Sequence, residues 1–168
     1  TSLSDSSEFG IGGYGHTSGI MWRYEFTTEE QTSFDINQKE YIASAINQKI
    51  QLEYDHHPFP CSNDITDNTS TASWMNKSNF DPNSHPINNA IARWNAENLI
   101  RKNASCYSQY LPGSANDIAD SLSRDFHLTN EQLIALFNNA NPPYLPKKQM
   151  EIIKLPAELT SWIASLAQ

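Results

Sequence analysis

Residues Ser121–Pro156, "SLSRDFHLTNEQLIALFNNANPPYLPKKQMEIIKLP", decide how the C-terminal third of this chain is read. Thr129 followed by Gln132 has the spacing of a capping box, and the helix it opens turns Leu133, Leu136 and Phe137 inward. "NPPYLP" ends that helix, since neither proline of the pair can continue it, and "QMEIIKL" then alternates as a strand does. Immediately upstream, "NDIADSLSRDF" sets Ile118, Leu122 and Phe126 four residues apart on one helical face. Further back, "YSQYL" (Tyr107 to Leu111) reads as a strand closed by the turn residues Pro112 and Gly113. The unit is strand, helix, helix, strand. Leu159, Trp162, Ile163 and Leu166 follow it at i, i+3, i+4 and i+7, which predicts an amphipathic tail helix.

The N-terminal part is less periodic. Thr1 to Gly19 is rich in Ser and Gly and reads as a flexible lead into "IMWRYEFT" (Ile20 to Thr27), which alternates as a half-buried strand. Asp35 caps a helix carrying Tyr41, Ile42, Ala45, Ile46 and Ile50 and ending near Lys49 to Gln51. From Asp55 to Pro86 the chain is polar, contains four prolines and shows no period, so it reads as a long loop pinned by Trp74 and Phe80. Pro86 then starts a second helix, with Ile87, Ala90, Ile91 and Trp94 on one face, that should pack on the first.

Composition bounds the function. The chain has 168 residues, enough for one good core or two small ones. Eleven Lys plus Arg against 19 Asp plus Glu give a formal charge of -8, with no basic run; a phosphate backbone should be repelled, so no nucleic-acid partner is expected. No apolar run reaches the ~20 residues of a membrane span. Cys61 and Cys106 sit in polar, turn-rich surroundings without a zinc-ligand spacing; one disulfide joining the middle loop to the C-terminal unit fits an oxidising compartment, and two unpaired thiols are the alternative.

The C-terminal unit resembles the LysM module. Asp117 matches the turn aspartate of that family, "SLS" its "SIA", Phe126 the following aromatic, Leu128 and Thr129 the "V-S" pair, and Glu131 with Leu133 the "E-x-L" helix. Leu145, Gln149, Ile153 and Pro156 match the family's closing segment, and the register runs without a gap from Asn116 through Phe137, over roughly a third of the chain. The turn glycine and threonine of the family are replaced by Asn116 and Ile118. The resemblance implies a shallow groove for N-acetylglucosamine chains of peptidoglycan or chitin, formed by Asp117, Ile118, Asn141, Pro142 and Tyr144. Backbone groups of two loops would hold an acetamide there while apolar side chains receive its methyl.

Two further stretches carry residue types that chemistry could use. "GGYGHTSG" (Gly12 to Gly19) with "TTEEQ" (Thr27 to Gln31) is similar to phage-type lysozymes, which puts Asp5 at the position of their catalytic aspartate. The general-acid glutamate has no counterpart, and Glu8 lies only three residues from Asp5, whereas glycoside hydrolysis needs two carboxylates ~5 to 9.5 Å apart on opposite sides of the bond. "YDHHP" (Tyr54 to Pro58) holds His56 and His57, but a metal there would need His16, His85 or Asp55 to converge, so these read as loop histidines.

The expectation is therefore an α+β chain in three parts: an N-terminal α+β domain over 1–105 with the long loop at 55–86, a LysM-like βααβ module over 106–156, and a C-terminal helix over 157–168. It reads as a secreted or periplasmic, non-catalytic protein, without cofactor or metal, binding cell-wall glycan. The alternative is an assembly subunit of an envelope or phage-type machine that uses the module for protein–protein contact, and a cell-wall hydrolase comes third.

Overall fold

In the computed structural model, which describes residues 1–113, 116–140 and 145–168, the chain is of mixed α and β class. Among the described residues, six strands form one sheet in the order β5-β4-β1-β2-β3-β6. β1 (Ser2–Ser6), β2 (Gly10–Gly15) and β3 (Ile20–Glu25) make an antiparallel meander, with Asp5 opposite Gly12 and Gly12 opposite Arg23. β4 (Cys61–Thr66) then lies parallel to β1, and β5 (Ser105–Tyr110) parallel to β4. The two-residue β6 (Glu151–Ile152) runs parallel to β3 at the far edge.

Each parallel return needs a crossover, and the helices supply it. Thr27 and Asp35 close capping boxes at the starts of α1 (Thr28–Ser33) and α2 (Ile36–Glu53). The expected Asp35 cap, the Pro86 start of α4 (Pro86–Arg101) and the Thr129 capping box of α6 (Asn130–Asn139) are all present. α2 packs on one face of the sheet, where Trp22, Tyr41, Ile42, Ile46, Ile91 and Ile163 belong to one core. α5 (Asp117–Arg124) and α6 cover the other face, where Leu3, Tyr14, Met21, Ile118, Leu122 and Phe137 form a second. The tail helix α7 (Ala157–Leu166) buries Leu159, Ile163 and Leu166 and stacks Trp162 on Trp94 at 3.8 Å, as its stripe predicted. Trp74 and Phe80 meet edge to face at 5.9 Å and both touch Tyr41, so they do pin the middle segment.

Several expectations are corrected. The Ser/Gly-rich start is two central strands, in which every residue is buried because helices cover both faces. Small residues are what such coverage demands: a Cβ on Gly12 would lie 2.5 Å from Leu122 Cβ of α5, and one on Gly13 would lie 2.8 Å from Asn47 Cγ of α2. The segment 55–86 is no featureless loop, for it contains β4 and the short α3 (Thr69–Trp74), capped by Asn68. The two strands read as one βααβ module, β5 and β6, lie at opposite edges of the shared sheet.

The disulfide is also corrected, because both cysteines are free. Register explains it: Cys61 pairs with Ser105 and Cys106 with Ser62, so alternation turns the two side chains to opposite faces of the sheet. Burial pushes the Cys106 thiol up to about 12, so that sulfur stays protonated and inert. A thiol reagent should therefore titrate both cysteines in the denatured, unreduced chain, and reductant should leave its melting temperature unchanged.

Candidate metal centre

Three elements end at one place. Asp5 stands one residue before the end of β1, Glu40 lies in the second turn of α2, and Asp67 directly follows β4. The parallel pairing of β1 with β4, Ser2 to Asp64 and Leu3 to Ile65, brings the two strand ends side by side, and α2 crosses over them. One carboxylate oxygen from each of the three residues lies within 4.8 Å of the other two. This is the sole grouping of that kind among the described histidines, cysteines and acids.

The cluster is built to stay. Ser6 donates to Glu40 Oε1 from both its backbone N–H (2.8 Å) and its hydroxyl (2.7 Å), and its N–H also reaches Asp5 Oδ1 at 2.8 Å. Glu40 Oε2 is buried and accepts no hydrogen bond. Gly113 leaves room beside Asp67: a Cβ there would come within 2.9 Å of Asp67 Oδ2. Asp120, in the first turn of α5, adds a fourth acid whose field reaches both Asp5 and Asp67, while Arg124 holds its Oδ1 at 3.0 Å.

No described Lys, Arg or His forms an ion pair with Asp5, Glu40 or Asp67. Lys39, the nearest basic neighbour in sequence to Glu40, donates instead to the Glu8 carbonyl. Two full charges 4.8 Å apart repel by roughly 3 kcal/mol at an effective dielectric of 20. The carboxyls respond by holding protons. Burial, with Asp67 and Asp120 nearby, pushes Asp5 up to about 6 against the opposing pull of the adjacent Glu40. Burial and then Asp5 drive Glu40 well above the ordinary carboxylate range, and burial followed by Asp120 raises Asp67.

The donor set is all carboxylate oxygen, without thiolate or imidazole, which suits Mg²⁺ or Mn²⁺ and not a structural zinc. Glu40 Oε2 is a buried acceptor left without a donor, and with one oxygen of each acid within 4.8 Å of the others, Asp5, Glu40 and Asp67 fit a divalent cation.

Of the acids weighed from sequence, Asp5 enters this centre in the company of Glu40 and Asp67. Glu8 lies exposed in the β1–β2 turn, and His16, His56, His57, His85 and Asp55 join no cluster. Among the glycan candidates, Asp117 is exposed in the first turn of α5 and Ile118 is buried in the second core. Asn141, Pro142 and Tyr144 lie outside the described residues. Glu40 and Asp67 were missed. The available signal was an acid on the buried face of α2, four residues before Ser44, and another at the close of a short strand.

A stability profile follows from the raised carboxyls. Asp5 and the buried Asp64 both sit at about 6 against an ordinary 3.8, so over that interval the folded chain binds protons that the unfolded chain has released. Their contribution is fully present below about pH 4 and is lost as pH rises through about 6. The metal-free protein should melt at lower temperature at about pH 7.5 than at about pH 5, and Asp5→Asn should raise the melting temperature at the higher pH and flatten the slope. Thermal scans of both proteins at the two pH values, in chelator, measure this; a wild-type profile that climbs over the interval would contradict the assignment.

Compared with known proteins, the chain matches no family model, no curated protein and no solved structure.

Proposed function

We propose that this chain is a metal-dependent nuclease that hydrolyses phosphodiester bonds of nucleic acid. The observation that carries the reading is the convergence of Asp5, Glu40 and Asp67 within 4.8 Å, uncompensated by any cationic side chain, with the buried Glu40 Oε2 unpartnered. Carboxylate cages of this kind hold the paired hard cations of phosphoryl and nucleotidyl chemistry. When bound, such cations polarise the scissile phosphate and lower the pKa of the attacking water.

The chain's own residues then have definite tasks. Asp5 and Glu40, when ionised, would hold the cation together with Asp67, which is less buried and lies on the β4 side, while Asp120 of α5 adds its field. Ser6 keeps the Glu40 carboxylate from rotating away. In the reaction a water oxygen bonds to phosphorus, one P–O ester bond breaks, and the departing oxygen takes a proton.

This reading departs from the expectation drawn from net charge. A charge of -8 counts the clustered acids as bare anions, and two bound divalent cations would halve it, reversing the field where a phosphate must approach. The LysM-like register from Asn116 to Phe137 supports a separate proposal, docking to N-acetylglucosamine chains. The nuclease reading takes precedence over it because Ile118 is buried and β5 and β6 do not pair.

Labelled RNA, DNA and RNA–DNA hybrid, each incubated with Mg²⁺, Mn²⁺ or chelator, test the proposal. Cleavage should require the metal, and Asp5→Asn, Glu40→Gln and Asp67→Asn should each reduce it by about 100-fold or more. Cleavage that persists in chelator, or in Glu40→Gln, would sink it. Retention on insoluble peptidoglycan or chitin, beside a known LysM protein, tests the docking proposal independently.

A further inference from the structure

Glu40 and Asp67 arrive at the centre on different segments, and a pair of amides joins those segments beside them. Asn68, the residue after Asp67, donates its Nδ2 to Asn37 Oδ1 at 2.8 Å. Asn37 precedes Glu40 by three residues in α2, so the two side chains lie on one face of that helix, about one turn apart. The amide bond thus bridges the end of β4 to α2 next to the place where the two carboxylates approach.

Asn68 is fixed on two other sides. Its Oδ1 accepts the 2.9 Å capping bond from the Thr71 N–H at the start of α3, and its own N–H donates to Thr66 Oγ1 at 3.2 Å. Thr66 closes β4 and has no exposed surface. Because the Thr71 N–H can only donate, it holds the Asn68 oxygen toward α3 and leaves the NH₂ to face Asn37. We propose that Asn68 and Asn37 form a clamp that positions Asp67 against Glu40 at the spacing a divalent cation needs. The inference rests on reading Asp5, Glu40 and Asp67 as a cation site.

Capping alone does not account for these residue types. Ser, Thr or Asp would cap α3 about as well as Asn68, but only the amide puts an acceptor on one arm and an N–H donor on the other. At the start of α2 the capping box is closed by Asp35 and Gln38, so the Asn37 oxygen serves the bond to Asn68. The need for a clamp comes from charge. Once ionised, Glu40 and Asp67 repel, and a hydrogen bond opposes their separation because it weakens steeply when its geometry is lost. Groups that lie one layer outside a ligand set govern affinity by orienting the ligands.

The same turn of α2 supplies the control. Gln38 Nε2 donates to Asn88 Oδ1 at 3.1 Å, an amide pair of the same kind that ties α2 to α4, which carries no acid of the centre. Calorimetric titration of the full chain with Mn²⁺ should show Asn37→Ala and Asn68→Ser each binding about tenfold more weakly than wild type, with the double variant no weaker than the worse single. Asn68→Ser keeps a cap for α3 but is too short to reach Asn37, and Asn37→Ala keeps the test open should Asn68→Ser not fold. Asn88→Ala should bind as wild type does, although thermal scans in chelator should place all three single variants within about 3 °C of one another. Wild-type affinity in both Asn37→Ala and Asn68→Ser would overturn the clamp while leaving the cation site intact. So would additive losses in the double variant, or an equal loss in Asn88→Ala, which would mark general loosening of α2. Failure of the wild-type chain to bind Mn²⁺ would overturn the site itself, and this inference with it.

Discussion

Two adjacent glycines at the middle of β2 set the distance between everything else. Gly12 lets the backbone of α5 come down onto one face of the sheet, and Gly13 lets Asn47 of α2 come down onto the other. Once α2 is seated, Asn47 fastens it: its amide donates to the carbonyls of Leu3 and Tyr14 and its oxygen accepts from the Trp22 indole at 2.9 Å. One buried side chain thus ties a helix to all three strands of the meander. With any larger residue at the glycines, Glu40 and Asp120 would stand farther from Asp5, and the acids would not meet.

The centre is an unfavourable arrangement that the two cores make possible. Like charges are brought together at a partly dry sheet end, and the raised proton affinity of Asp5, Glu40 and Asp67 records the strain. The offset comes from well-packed apolar surface on both sides of the sheet and from hydrogen bonds that fix the carboxyls in place. Sites that bind cations are commonly destabilising when empty, and the stored repulsion becomes affinity when a cation enters. Net charge is a poor guide in such a case, because the acids that dominate the local field are those an ion would neutralise.

The helical parts of the fold could be read from the chain. α2, α4, α6 and α7 announce themselves by caps and apolar stripes, because each has one dry face and one wet one. β1, β2 and β4 could not be read that way. Strands covered on both faces lose the alternation that marks a strand, and here close helix packing replaces bulky apolar residues with Ser and Gly, so "SLSDS" and "GIGGYG" imitate a loop. "CSNDIT" hides for a related reason, since its buried Asp64 and Thr66 are polar and served by hydrogen bonds inside the molecule.

By itself, then, the sequence determined the helices α2, α4, α5, α6 and α7, the packing of the tail, the β-character of Ile20 to Glu25 and the presence of Asp5 near a glycine-rich stretch. These are local properties, written in the spacing of neighbouring residues. Only the tertiary structure decided that Asp5, Glu40 and Asp67 share one point, that Cys61 and Cys106 face apart, and that β5 and β6 close opposite edges of one sheet. The physical reason is the same for all three: parallel strand pairing joins segments far apart in the chain, and its register, which no short stretch encodes, sets which side chains meet.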